Sequence, residues 1–235
     1  MLVLILDLIA RHLPPKYDLG PWRLLTYITT RTGLALALSF FISLAIGPRV
    51  IAALRALKAG QVIRKALRAD AIDLSAMHGK KAGTPTMGGI LMMIAMFLPV
   101  LILCRLSNPY VLLLSLMTFG YGLLGFWDDY LKIVRKNHYG VSPRKKLLVQ
   151  TALGIAFGLG LMAVVWPIRY EPAHATGYPY LLIPFWKEYY PYLGWWCVAL
   201  VAVVMMCTSN AVNLTDGLDG LAIGCTIIAA GALAV

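Results

Sequence analysis

Asp128 and Asp129 close an apolar run in GFWDDYLKI, and Asp216 and Asp219 follow another in NLTDGLDGLA. The chain holds ten acidic residues, so four of them stand at just two such junctions. Carboxylates are hard oxygen ligands, and Mg²⁺ typically takes one or two of them plus substrate phosphates. Asp216 and Asp219 are three apart and would share a face on a helix. Asp128 and Asp129 are adjacent and point about 100° apart on one. One of that pair can face a site while the other braces it or pairs with a lysine. Gly217 and Gly220 let a backbone or a ligand come close. Thr215 or Asp216 is placed to cap a following helix, whose free N–H groups attract phosphate. The DGLDG run is no EF-hand loop, since Leu218 stands at a ligand position. As single residues these aspartates also read as helix caps and surface charges; the pairing and the flanking glycines favour a site.

A second stretch, HGKKAGTPTMGGI, puts Lys80 and Lys81 before a compact turn of Gly83, Thr84, Pro85, Thr86, Gly88 and Gly89. Cations, threonine hydroxyls and open backbone suit a diphosphate. Thr86 is placed to cap the apolar run that follows. The order is not that of a Walker A loop, and alone the stretch equally describes the basic flank of a membrane helix. His12, His78, His138 and His174 are far apart, with no H-E-x-x-H, which argues against a histidine-built metal site. Cys104, Cys197, Cys207 and Cys225 lie in or beside apolar runs without a C-x-x-C pair and read as apolar filler.

The composition says what positions these groups. The 235 residues are 60% hydrophobic and 13% charged, with a mean hydropathy of +0.76. Soluble domains average about 25% charged, so the chain reads as an all-α polytopic membrane protein. A span needs roughly 20 mostly apolar residues. Five segments qualify, at about 24–46, 86–104, 110–131, 147–166 and 192–212, and a sixth runs from Leu218 to the chain end at Val235. The sixth has no polar flank to close it, which suggests a longer protein cut within or at the end of a helix. Gly154 and Gly158 form a G-x-x-x-G, the pattern of a close helix contact. Arg31 falls inside the first predicted span, where it either snorkels outward or marks a later helix start. The N-terminal stretch MLVLILDLIARHLPPKYD lacks the basic start and small-residue cleavage site of a secretory signal; it reads as a short interfacial helix ended by Pro14 and Pro15.

The loops assign sidedness. The 47–85 and 132–146 loops carry most of the Lys and Arg, while the 105–109 and 167–191 loops carry few. By the positive-inside rule the two basic loops are cytoplasmic and the N-terminus is outside. This places all four aspartates at the cytoplasmic face. It also accounts for most of the +11 net charge without nucleic acid. Trp166, Trp186, Trp195 and Trp196 flank the outer loop as interfacial aromatics.

At GTPTMGG, GFWDDY and NAVNLTDGLDGLA, in that order, the chain resembles the bacterial phospho-N-acetylmuramoyl-pentapeptide transferases, members of the polyprenyl-phosphate N-acetylhexosamine-1-phosphate transferase superfamily. The resemblance covers essentially the whole chain. It implies that residues 1–235 are a single transmembrane domain, the N-terminal part of a ten-helix enzyme in the bacterial cytoplasmic (inner) membrane. It implies a Mg²⁺-dependent transfer of phospho-MurNAc-pentapeptide from UDP-MurNAc-pentapeptide to undecaprenyl phosphate, giving lipid I and UMP for peptidoglycan. Carried over, Asp128 and Asp129 are the catalytic carboxylates. Lys80, Lys81, Thr84, Thr86, Asn213, Asp216 and Asp219 bind substrate, and Asp128, Asp216 and Asp219 hold the metal. A homodimer is implied by the family alone. The family also carries a later metal-binding aspartate and a histidine-rich cytoplasmic loop that these residues do not match. The competing readings are a sister transferase using another UDP-sugar, an ion-coupled transporter and a non-catalytic membrane fragment. A transporter predicts acids near span centres; here they stand at span ends.

Overall fold

A computed structural model describes residues 24–56, 87–134, 140–165, 180–181, 183, 186, 188–216 and 220–234. The expected N-terminal interfacial helix, Trp166, Lys80, Lys81, Thr84, Thr86 and Asp219 lie outside the described residues. Six helices are described: α1 (Ile28–Ala56), α2 (Gly89–Leu103), α3 (Pro109–Val134), α4 (Pro143–Val165), α5 (Trp196–Thr215) and α6 (Leu221–Ala234). Of these, α1, α3, α4 and α5 are long and apolar enough to cross a membrane, and α2 and α6 are shorter apolar helices. The protein is thus a multi-pass, all-helical membrane protein. Lipid offers no water to unpaired peptide groups, so spanning segments close their hydrogen bonds internally. The helices fall into two compact units, Met1–Ser142 and Pro143–Val235.

In the first unit, α1 runs about ten residues past its predicted end at 46. Pro48 lies inside the helix and does not stop it. The following VIAALRA is rich in good helix formers, and Arg49 Nη1 donates 3.0 Å to the Ala45 carbonyl beside the break. Arg49 and Arg55, expected in a loop, are therefore helical. Arg31 falls in the first turn of α1, consistent with the later start at Ile28. A Cβ on buried Gly47 would sit 3.6 Å from Leu91 Cδ2, which marks where α1 meets α2. Helix α2 spans 15 residues, with Gly88 rather than Thr86 at its N-cap and no side-chain cap. Met87, just before it, has a φ of 70°. The turn into α3 is written locally. Asn108 Oδ1 accepts from Tyr110 N at 2.9 Å, with Pro109 as the first helical residue, the preferred cap and the preferred start. Phe97 of α2 packs edge-on against Phe119 of α3, with ring centroids 6.1 Å apart.

In the second unit, α4 and α5 pack antiparallel along one stripe each. A Cβ on Gly154 would lie 2.7 Å from Ala202 Cα, and one on Gly158 would lie 3.0 Å from Val198 Cα. The G-x-x-x-G is thus a backbone-to-backbone contact, as its spacing predicts. One turn below, Thr151 Oγ1 reaches Met206 Sδ at 3.6 Å. Between the two helices Tyr180 and Tyr192 form an isolated antiparallel bridge, and Trp186, Trp195 and Trp196 are exposed as interfacial aromatics are.

These contacts predict unequal tolerance among the glycines. Gly154→Val should destabilise the protein by roughly 1–3 kcal/mol, because the obstacle is backbone and cannot move aside cheaply. Gly33→Ala meets nothing within 4 Å and should stay within about 0.5 kcal/mol of the parent. Thermal unfolding in detergent, followed by circular dichroism, compares the two.

Candidate functional site

The expected site residues that are described belong to both units. In the first unit Asp128 and Asp129 lie in the last two turns of α3, well away from its centre. The pair is asymmetric. Asp128 Oδ2 lies 2.5 Å from Lys132 Nζ, and its Oδ1 accepts from Val141 N at 2.8 Å. Asp129 Oδ1 is 3.6 Å from the same ammonium. The Asp128 side chain is 15% exposed and that of Asp129 is 33% exposed. Asp128 is therefore the braced member and Asp129 the more open one. Lys132 follows Asp128 by four positions, the favourable acid-to-base order on a helix.

The brace depends on Gly140, which the sequence reading did not single out. Its φ is 62°, a conformation that L side chains rarely adopt. A Cβ there would collide with Asp128 Oδ1 and come within 2.8 Å of Lys132 Cε. Absence of a side chain thus lets the chain turn tightly over the carboxylate and aim the next N–H at it. The sequence signal is a lone glycine inside the basic 132–146 loop, just before Ser142–Pro143. Around the dyad, Phe126 and Tyr130 stack with centroids 6.2 Å apart, and both are exposed, as is Trp127. Exposed amphipathic aromatics are at home at headgroup level.

In the second unit the expected geometry is corrected. Asp216 is the C-cap of α5, its N–H bonded to Val212 O, and Thr215 Oγ1 also bonds to Val212 O at 2.9 Å. Both therefore finish the preceding helix instead of capping the following one. Helix α6 starts only at Leu221, after Gly220 with a φ of 82°. The reason is that NLT continues the apolar helix until a glycine can turn it. Asp216 stands in the turn that ends α5, and Asp219, expected to share a helical face with it, lies outside the described residues. Asn213, in the last turn of α5, and Asp216 are exposed. Among the described residues no group of three His, Cys, Asp or Glu is assembled for a metal. In each unit the described carboxylates, Asp128 and Asp129 in the first and Asp216 in the second, are hard oxygen donors of the kind Mg²⁺ takes.

Residues 111–235 match the family model for glycosyl transferase family 4, and the chain belongs to that family. Residues 81–91 carry the phospho-N-acetylmuramoyl-pentapeptide-transferase signature 1. Three curated relatives bear that enzyme's name. The chain is 39% identical to the one from Koribacter versatilis over 234 residues, covering 93% of this chain and 58% of the relative. It is 40% identical to that from Pelobacter propionicus, covering 90% and 54%. It is 42% identical to that from Methylacidiphilum infernorum, covering 89% and 55%. The chain thus spans a little over half the length of each of these relatives.

The asymmetry of the dyad is directly measurable. With a water-soluble carbodiimide and an amine, read by mass spectrometry, Asp129 should be modified several-fold faster than Asp128. Lys132→Gln should narrow the difference without abolishing it, because the Val141 N–H still holds Asp128.

Proposed function

We propose that the chain takes part in transferring phospho-MurNAc-pentapeptide from UDP-MurNAc-pentapeptide to undecaprenyl phosphate, with release of UMP. The observation that carries this reading is 39–42% identity, over about nine-tenths of the chain, to enzymes named for that transfer. The paired carboxylates at a membrane helix end, ringed by exposed aromatics, support it. One substrate is a soluble anion and the other a lipid with its phosphate at the bilayer surface. A site at helix ends meets both.

In the proposed reaction an oxygen of the lipid phosphate attacks the sugar-bearing phosphorus of the diphosphate. The bond from that phosphorus to the oxygen bridging it to the uridine-bearing phosphate breaks, and UMP leaves with that oxygen. Such transfers depend mainly on positioning and charge neutralisation. A phosphate monoester, with a second pKa of about 6, is already mostly dianionic at pH 7, so attack needs little proton removal. Asp128 orients the lipid phosphate through Lys132, whose ammonium it holds in place. Asp129 presents the more open carboxylate. Asn213 and Asp216 receive the nucleotide, with Lys80, Lys81, Thr84 and Thr86 contributing to the diphosphate and Asp219 to the metal set. Mg²⁺ would be held by Asp128, Asp216 and Asp219, and it would supply neutralising charge to the diphosphate.

Several expectations belong to the same proposal. The basic loops lie on the cytoplasmic side of the bacterial inner membrane, and the aspartates open to that side. The two units work as one transmembrane domain, and the protein pairs as a homodimer.

The test is UMP release from UDP-MurNAc-pentapeptide and a polyprenyl phosphate by the purified protein in detergent. Asp129→Asn and Asp216→Asn should each lower the rate by about 100-fold or more, the scale of losing one electrostatic contact to a developing charge. Chelation with EDTA should abolish release and added Mg²⁺ restore it. Release that survives both substitutions and chelation would exclude this assignment.

A further inference from the structure

The α4–α5 contact holds a polar group that the proposed chemistry does not use. Gln150 is fully buried, at 0% exposure, and among the described residues it is the polar side chain in the buried class. Its Nε2 donates to Ser209 Oγ at 3.1 Å. Its Oε1 accepts from Asn210 Nδ2 at 2.9 Å. The same Nδ2 donates to the Met206 carbonyl of its own helix at 2.8 Å. One side chain of α4 is thus tied to two successive residues of α5. Asn213 lies three positions further on and Asp216 six.

The rest of the contact is apolar: Gly154 and Gly158 bring the backbones together at Ala202 and Val198, and Met206 adapts to many neighbours. A slide of α5 by one residue changes its height by about 1.5 Å and its rotation by about 100°. Apolar contacts of this kind survive such a slide in part. The amide contacts do not, and a buried amide left without a partner is disfavoured in a medium that cannot hydrogen-bond. A single buried polar pair can therefore select one register, as a polar residue does in a coiled-coil seam.

We infer that Gln150 is a positioning residue: through Ser209 and Asn210 it sets the rotation and height of α5, and so presents Asn213 and Asp216 to the uridine nucleotide. The nucleotide half of this inference rests on the transferase reading; the register half rests on the packing. Gross stability is a poor readout, because the unfolded chain in the membrane also finds hydrogen-bond partners. Register and binding are the discriminating ones.

The experiment places nitroxides at exposed Leu148 and Val212 in a chain whose four cysteines are replaced by alanine, and reads their separation by pulsed dipolar spectroscopy. The parent should give one narrow distance. Gln150→Met, which keeps volume and removes the amide, should broaden or split it. Ser209→Ala should do so to a smaller degree, and it serves if the Met variant does not fold. Gln150→Glu, which when protonated retains an acceptor for Asn210 and a donor for Ser209, should restore the narrow peak. Titration of UMP by calorimetry runs beside it, and Gln150→Met should weaken binding at least 10-fold while circular dichroism stays unchanged. An unchanged narrow distance in both Gln150→Met and Ser209→Ala overturns the inference. A changed distance with unchanged UMP affinity overturns its nucleotide half. A changed distance in a parent that binds no UMP leaves the register role standing and removes the transferase reading beneath it.

Discussion

Lipid gives a polar group no water to fall back on, and this constraint organises what the chain does with its few polar side chains. Three solutions are visible. At helix ends, polar groups meet each other and the turns beside them: Asp128 with Lys132 and the Val141 N–H, Asn108 with Tyr110. Between helices, they pair across the contact: Gln150 with Ser209 and Asn210. Threonines within the spans return their hydroxyls to their own helix, as Thr118 does to Leu114 and Thr226 to Ala222. The protein concentrates its remaining charge where the helices meet water, which is also where a lipid phosphate can be reached.

The Asp128–Asp129 pair shows how adjacency produces two roles. Residues next to each other on a helix diverge by about 100°, so a single lysine four positions on engages one carboxylate closely and the other at longer range. The turn at Gly140 completes the difference by adding a backbone donor to Asp128 alone. Two chemically identical groups thereby differ in freedom: one is held by two partners, and the other keeps capacity for a ligand. The open carboxylate is well defined because its neighbour is immobilised.

Much of this was readable in advance. Long apolar runs separated by charged loops locate spans well, because burying charge in hydrocarbon is costly. The span-end aspartates and the close contact at Gly154 and Gly158 came from the same logic. The misreadings have physical causes. Pro48 and the arginines after it looked like a helix end, yet a proline need not terminate a helix whose following residues favour it. Thr215 and Asp216 looked like the start of a helix, and a C-terminal end uses the same residue types when glycine follows. Gly140 was invisible because its importance lies in a contact across 12 positions with Asp128, and Gln150 because its partners lie about 60 positions away. Neither distance leaves a periodic trace.

Helix α2 has a consequence for the membrane itself. Its 15 residues rise about 22 Å, against a hydrocarbon core of about 30 Å. Its outward residues, among them Met92, Met96 and Leu101, are exposed. If α2 crosses, the shortfall must be met by local thinning of the bilayer, by flanking side chains that reach for the interface, or by packing against neighbours, and α2 does pack against α1 and α3.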